Sequence, residues 1–125
     1  MDVFAIRGAT TIESDRAEEI TANTTELMAE LIKSNRIDGK NVRCVSVAIS
    51  STTDIESFFP ARAVRESKLL EGVPLFSCTE PKIKGSLPLC IRVMLTLSVK
   101  DEKNFEPQHV YFRGAALLRP DLVKK

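Results

Sequence analysis

His109 is the only histidine in 125 residues, and the three cysteines, Cys44, Cys78 and Cys90, include no CxxC pair. A zinc site needs several Cys or His ligands at close spacing, and a serine-histidine triad needs its histidine beside a nucleophile. Neither pattern is written here. Three scattered cysteines fit reduced thiols packed as small apolar groups better than a disulfide framework. The five glycines are dispersed and form neither GxGxxG nor a P-loop, so no phosphate-cradling loop is present. A charge surplus is missing as well. Eighteen basic residues face seventeen acidic ones, for a net charge of +1, which argues against nucleic acid or an anionic membrane as the main partner. No apolar run approaches the roughly 20 residues that cross a bilayer, and MDVFAIRGATT holds no signal-peptide apolar block. These absences predict a soluble, cytoplasmic protein without metal or cofactor. Any chemistry must come from positioning and electrostatics.

What is present describes one domain over 1–125, with no repeat, linker or low-complexity segment. Val3–Thr11 reads as a strand interrupted at Arg7 and Gly8. Asp15 and Glu18 have capping-box spacing ahead of a helix. In that helix Ile20, Thr24, Leu27, Met28, Leu31 and Ile32 form one apolar stripe. Asp38-Gly39 is a turn signal, and Val42–Ser50 is β-branched and strand-like. Thr53-Asp54 is a candidate for a short helical turn, and Pro60 suits the first turn of a helix to about Ser67. Further strands are expected at 72–76, 89–99 and 109–112. The loop 81–89 separates the first two of these, and Gly114 breaks the chain after the last. The tail from Pro120 is expected to be loose. One long helix, one short helix and five or six strands, without one-for-one alternation, give an α+β domain on a mixed, mostly antiparallel sheet.

In LCIRVMLTLSV (89–99) successive side chains fall on opposite faces. Ile91, Val93, Leu95, Leu97 and Val99 make a dry face, while Cys90, Arg92, Met94, Thr96 and Ser98 make a mixed one. Arg7, Arg65 and Arg119 likewise stand in apolar surroundings. An arginine cannot shed its charge, so a partly buried one needs a carboxylate, carbonyls or a ligand. The plain alternative for each is a stem packed on the sheet with its head in solvent, or an internal pair with Glu80 or Asp121. Several such arginines together point to a pocket for a multiply charged anion, a dicarboxylate or phosphate. Glu80, Ser77 and Tyr111 stand beside them.

Four stretches, IRGATT, FPARAVRE, CIRVML and HVYFRGAALLRPDL, lie in an order and spacing that cover nearly the whole chain. In these the sequence resembles the small monofunctional chorismate mutases of the trimeric pseudo-α/β-barrel type. The resemblance implies a cofactor-free rearrangement of chorismate to prephenate in a homotrimer, with active sites at subunit interfaces. It implies that Arg92 faces the ether oxygen of the breaking bond and that Glu80 binds the ring hydroxyl. Arg7 and Tyr111 would hold the side-chain carboxylate. Phe59, Ala61, Arg62 and Arg65 match the segment that closes the site from a neighbouring subunit. Phe76 and Ser77 match substrate-contacting positions, and Leu118 a wall of the pocket.

Two departures stand out. Ser77 occupies a position that is commonly cysteine in the family, while Cys78, one place later, is expected to point away and pack. Arg62 replaces a familiar lysine and keeps the charge. Two other readings share the arginine pattern. One is a trimer like the imine/enamine deaminases, and the other a non-catalytic module that binds a dicarboxylate.

Overall fold

The alternation in the long strand is obeyed from Ile91 to Val99, with Cys90 on the mixed face buried as well. Ile91, Val93, Leu95, Leu97 and Val99 are exposed by 4% or less, whereas Arg92 and Met94 on the other face are exposed. The computed structural model describes residues 1–118; Arg119, Asp121 and the tail 120–125 lie outside the described residues. Strands β1 (Asp2–Thr11), β2 (Val42–Ser51), β3 (Leu75–Thr79), β4 (Cys90–Val99) and β5 (Val110–Tyr111) form one sheet in the order β3-β2-β4-β1-β5. The central pairs β2-β4 and β4-β1 are antiparallel, and the edge pairs β3-β2 and β1-β5 are parallel. With helices α1 (Ala17–Ser34) and α2 (Pro60–Ser67), this is the expected single α+β domain on a mixed sheet.

The dry face lies under α1. Ile20, Thr24, Leu27, Met28 and Leu31 are buried as the periodicity requires, each large apolar side chain contributing about 1.5–3 kcal/mol. Ile32 is only half-buried, and Asn23 joins the stripe in its stead, donating Nδ2–H to the Thr11 carbonyl at 3.0 Å. Gly8 does not interrupt β1. It is where the helix comes closest: a Cβ there would lie 2.7 Å from Leu31 Cδ1 and 3.1 Å from Leu27 Cδ1. A strand glycine at a close approach serves that purpose.

The capping box does not form. Arg16 is the N-cap of α1 and no side chain caps it. The Asp15 carboxylate is taken by the Glu56 and Ser57 amides at 3.0 and 3.1 Å, a contact between distant segments that sequence spacing does not encode. Glu19, one residue after the expected partner, accepts from the Glu13 and Ser14 amides at 2.6 and 3.2 Å. Thr53-Asp54 opens no helix; Asp54 instead accepts the Leu89 N–H at 2.9 Å.

Strand β3 begins three residues later than expected. Gly72 adopts a left-handed φ of +79°, and Pro74 has no N–H, so the ladder opens with the Pro74 carbonyl accepting from Val47 at 2.9 Å. Strand β5 is two residues long, half the expected length. The break after it falls on Arg113, with φ +54°, rather than on Gly114, and a 3₁₀ turn follows at Arg113–Leu117.

Candidate active site

The register of the sheet assembles the site. On the face turned away from α1, Tyr111 of β5, Ala9 of β1, Arg92 of β4, Ser50 of β2 and Cys78 of β3 stand in one row across all five strands. The neighbouring row carries Arg7, Met94, Ala48 and Phe76. Arg7 and Arg92 are therefore diagonal neighbours on adjacent strands, about 7–8 Å apart at the backbone. Both line an open cavity of about 270 Å³ with Ser50, Cys78 and Met94.

Glu80 follows β3 directly and is anchored to β2, its N–H donating to the Ser51 carbonyl at 2.8 Å. Its carboxylate accepts from the Ser50 hydroxyl at 2.7 Å and pairs with Arg92 Nε at 3.1 Å. The internal Arg92–Glu80 pair considered as the plain alternative is thus real. It does not consume the arginine, whose side chain remains 45% exposed at the cavity. A guanidinium held at Nε by a fixed carboxylate is restricted in orientation, while its charge stays available to a ligand.

At the β5 end this face is walled. Ala9, Cys90, Tyr111 and Ala115 form a small buried cluster, with Leu87 and Leu118 packed on it. Burial pushes the Cys90 thiol above its usual pKa, against the pull of the nearby Arg92. Cys44, under the sheet, is pushed up to about 11 for the same reason. Both are packing thiols.

Cys78 is different: it points away from Ser77 as the alternation requires, but it does not pack as expected. It is exposed and sits on the Arg92 face, while Ser77 pairs with buried Ile49 and has the opposite parity. The alternation of VRCVSVAIS already puts Ser50 opposite in parity to Ile49, but only the β2-β3 register links Cys78 to it. Ser77 instead lines a groove of about 510 Å³ with Phe59 and Arg62. Arg62 pairs with Glu66 at 3.3 Å and lies 5.3 Å from the Phe58 ring. Arg65 borders a separate depression with Lys68, Glu71 and Val73, and Ala61 packs partly into the core. Within one chain, then, Arg7, Arg92, Glu80 and Tyr111 come together on one face, with Phe76 in the adjacent row and Leu118 at the wall. The α2 residues do not reach that cavity.

The chain matches the family described as chorismate mutase type I over residues 3–122. It belongs to that family. The chorismate mutase AroH of Bacillus subtilis is 39% identical over 122 residues, spanning 98% of this chain and 94% of that protein. The Thermus thermophilus chorismate mutase AroH is 41% identical over 120 residues, 96% of each. The solved chorismate mutase from Clostridium thermocellum superposes with a TM-score of 0.76 at 36% identity, covering 91% of this chain and 98% of its own. The family assignment and the sheet order agree with the α+β expectation drawn from the residues.

Proposed function

We propose that the chain is an isomerase that rearranges chorismate to prephenate, a step toward the aromatic amino acids. The observation that carries this reading is the placement of two guanidiniums, Arg7 and Arg92, in one cavity with Glu80 clamped to Arg92. Chorismate is a dicarboxylate with a ring hydroxyl, and the rearrangement needs its enolpyruvyl arm folded over the ring. Arg7 and Tyr111 grip the side-chain carboxylate and Glu80 takes the hydroxyl, which together select the folded conformer. As the C–O bond breaks ahead of C–C bond formation, the ether oxygen gains negative charge. Arg92, held at Nε by Glu80, faces that oxygen and interacts more strongly with the transition state than with the substrate. No proton moves, so no general base is needed.

A cavity of about 270 Å³ is small and open for a bound metabolite, since such pockets run about 300–1,000 Å³. This supports a homotrimer in which the neighbour's α2 segment completes each site with Phe59, Ala61, Arg62 and Arg65. No helix among the described residues is long and apolar enough to cross a membrane, in keeping with a cytoplasmic biosynthetic enzyme. The direct test adds chorismate to the purified chain and follows loss of its ultraviolet absorbance, with light scattering for the trimer. Turnover by a trimer is the expected result; a folded trimer that leaves chorismate intact overturns the assignment.

A further inference from the structure

Strand β5 joins the sheet through two residues only, Gly8↔Val110 and Ala9↔Tyr111, yet it carries Tyr111. Side chains fasten the segment that the ladder does not. Asn35, at the end of α1 and 2% exposed, accepts the Gln108 N–H at 2.8 Å and donates to the Gln108 carbonyl at 2.9 Å. His109 Nδ1 accepts the Arg7 N–H at 2.9 Å, continuing the ladder with an imidazole. On the other side of Tyr111, Arg113 donates to the Thr10 hydroxyl at 3.0 Å and pairs with Glu26 of α1 at 2.7 Å. The Gly114 N–H donates to Thr11 Oγ1 at 3.1 Å.

Arg113 is the unexpected member of this set. Its φ of +54° lies in the left-handed region, where Asn or Gly is the inexpensive choice. An arginine at such a position works against its own backbone preference, and its contacts account for its presence. Both contacts fasten the turn from the α1 side of the sheet, behind the substrate face. Thr10 follows Ala9, the register partner of Tyr111, and Glu26 belongs to the helix that packs on β1. We propose that Arg113 is a positioning residue for Tyr111, acting through Glu26 and Thr10. It holds the two-residue strand and the 3₁₀ turn against β1, so that Tyr111 presents one geometry to the substrate carboxylate. This role rests on the mutase reading. Because the carboxylate contact exists equally in substrate and transition state, its loss falls on KM and not on kcat.

The test compares Glu26→Gln, Arg113→Asn (which tolerates the left-handed conformation) and their double variant, by chorismate kinetics and by near-ultraviolet circular dichroism. Tyr111 is the only tyrosine and there is no tryptophan, so the tyrosine band reports Tyr111 alone. Each single variant is expected to raise KM about 2- to 5-fold, the range a half-exposed ion pair supplies, with kcat unchanged. The Tyr111 band should weaken while far-ultraviolet dichroism stays constant. The double variant should be no worse than Arg113→Asn, since both substitutions break one pair. Unchanged KM and an unchanged tyrosine band, additive effects, or a fall in kcat alone would each overturn the proposal. If the wild-type chain does not turn over chorismate the mutase reading fails separately, and the tyrosine band still decides whether Arg113 and Glu26 position Tyr111.

Discussion

Replacing Arg92 should separate catalysis from stability more cleanly than any other change in this chain. The Arg92–Glu80 pair is 3.1 Å long, but the two side chains are 45% and 23% exposed. Solvent screening holds such a pair to about 0–1 kcal/mol of folding stability. Neither group is stranded by the loss of the other, because Glu80 keeps the Ser50 hydroxyl at 2.7 Å and Arg92 lies open to water. For a domain of this size, that predicts a drop of no more than about 4–5 °C in the thermal midpoint of Arg92→Ala. The transition state is affected differently. A preorganised donor aimed at a developing oxyanion is worth about 3–4 kcal/mol, so kcat should fall by about 10² to 10³. Arg92→Lys should lose nearly as much. Lysine restores the charge but has no Nε to hold against Glu80, and so cannot hold one orientation while a second donor meets the ether oxygen. Chorismate absorbance gives kcat, and calorimetry on the same samples gives the midpoint. Near wild-type turnover in either variant refutes the role of Arg92. A midpoint loss of tens of degrees refutes the claim that its place in the fold is dispensable.

Three further outcomes follow from the packing and the titratable groups. Gly8→Ala puts a methyl against Leu31, Leu27 and Val93 at 2.7, 3.1 and 3.2 Å, and should cost about 1–3 kcal/mol in urea unfolding; equal or greater stability would show that α1 has room to move. The Asp15 carboxyl is pushed up by burial but pulled further down by the Ser57 and Glu56 amides. Glu19 is lowered chiefly by the Glu13 amide, and Asp38 by the amides of Lys40 and Val42. Their folded pKa values lie below the unfolded ones, so the stability they contribute is complete above about pH 5 and is lost as pH falls through about 4 and below. A stability curve that stays flat from pH 6 to pH 3 would contradict this. Of the three thiols, only exposed Cys78 should react with a disulfide reagent in the folded protein, with Cys44 and Cys90 following on unfolding. Because Cys78 shares the cavity of Arg7 and Arg92, its modification should also lower turnover. Equal reactivity of all three thiols would refute the burial assigned to the other two.

What could be read from sequence was governed by range. The faces of β4 and of α1 follow from period alone, and Leu95, Leu97, Leu27 and Leu31 are all buried where the period puts them. Pro60 opens α2 because a missing N–H at N1 costs nothing. The misreadings arose where a residue answers to a distant partner. Asp15 spans 41 and 42 residues to the amides it accepts, so its capping role existed only locally. Cys78 was expected to pack, and only the parallel register of β3 with β2 puts it on the Arg92 face, exposed. Arg113 carried no local signal, since its left-handed backbone and its contacts to Glu26 and Thr10 are set by tertiary structure. The arginines were legible for a different reason. A guanidinium among apolar residues is a cost that must be met somewhere, and the row of Tyr111, Ala9, Arg92, Ser50 and Cys78 is where it is met.

That row also bears on assembly. The face carrying Arg7 and Arg92 leaves Val3, Met94 and Phe76 exposed by 66%, 43% and 73%, and Phe59, ahead of α2, is 70% exposed. A sheet face that mixes uncovered apolar side chains with two arginines is unfavourable to leave in water and unfavourable to bury under a purely apolar layer. A second copy meets both demands if it covers the apolar positions and leaves a small polar enclosure around the arginines. The charged residues then remain wet enough to hold their charge, while the excluded water lowers the local dielectric and strengthens Arg92 where charge develops. On this argument catalysis and association depend on the same face. The Arg92–Glu80 pair, 45% and 23% exposed in the single chain, is what such a cover would enclose.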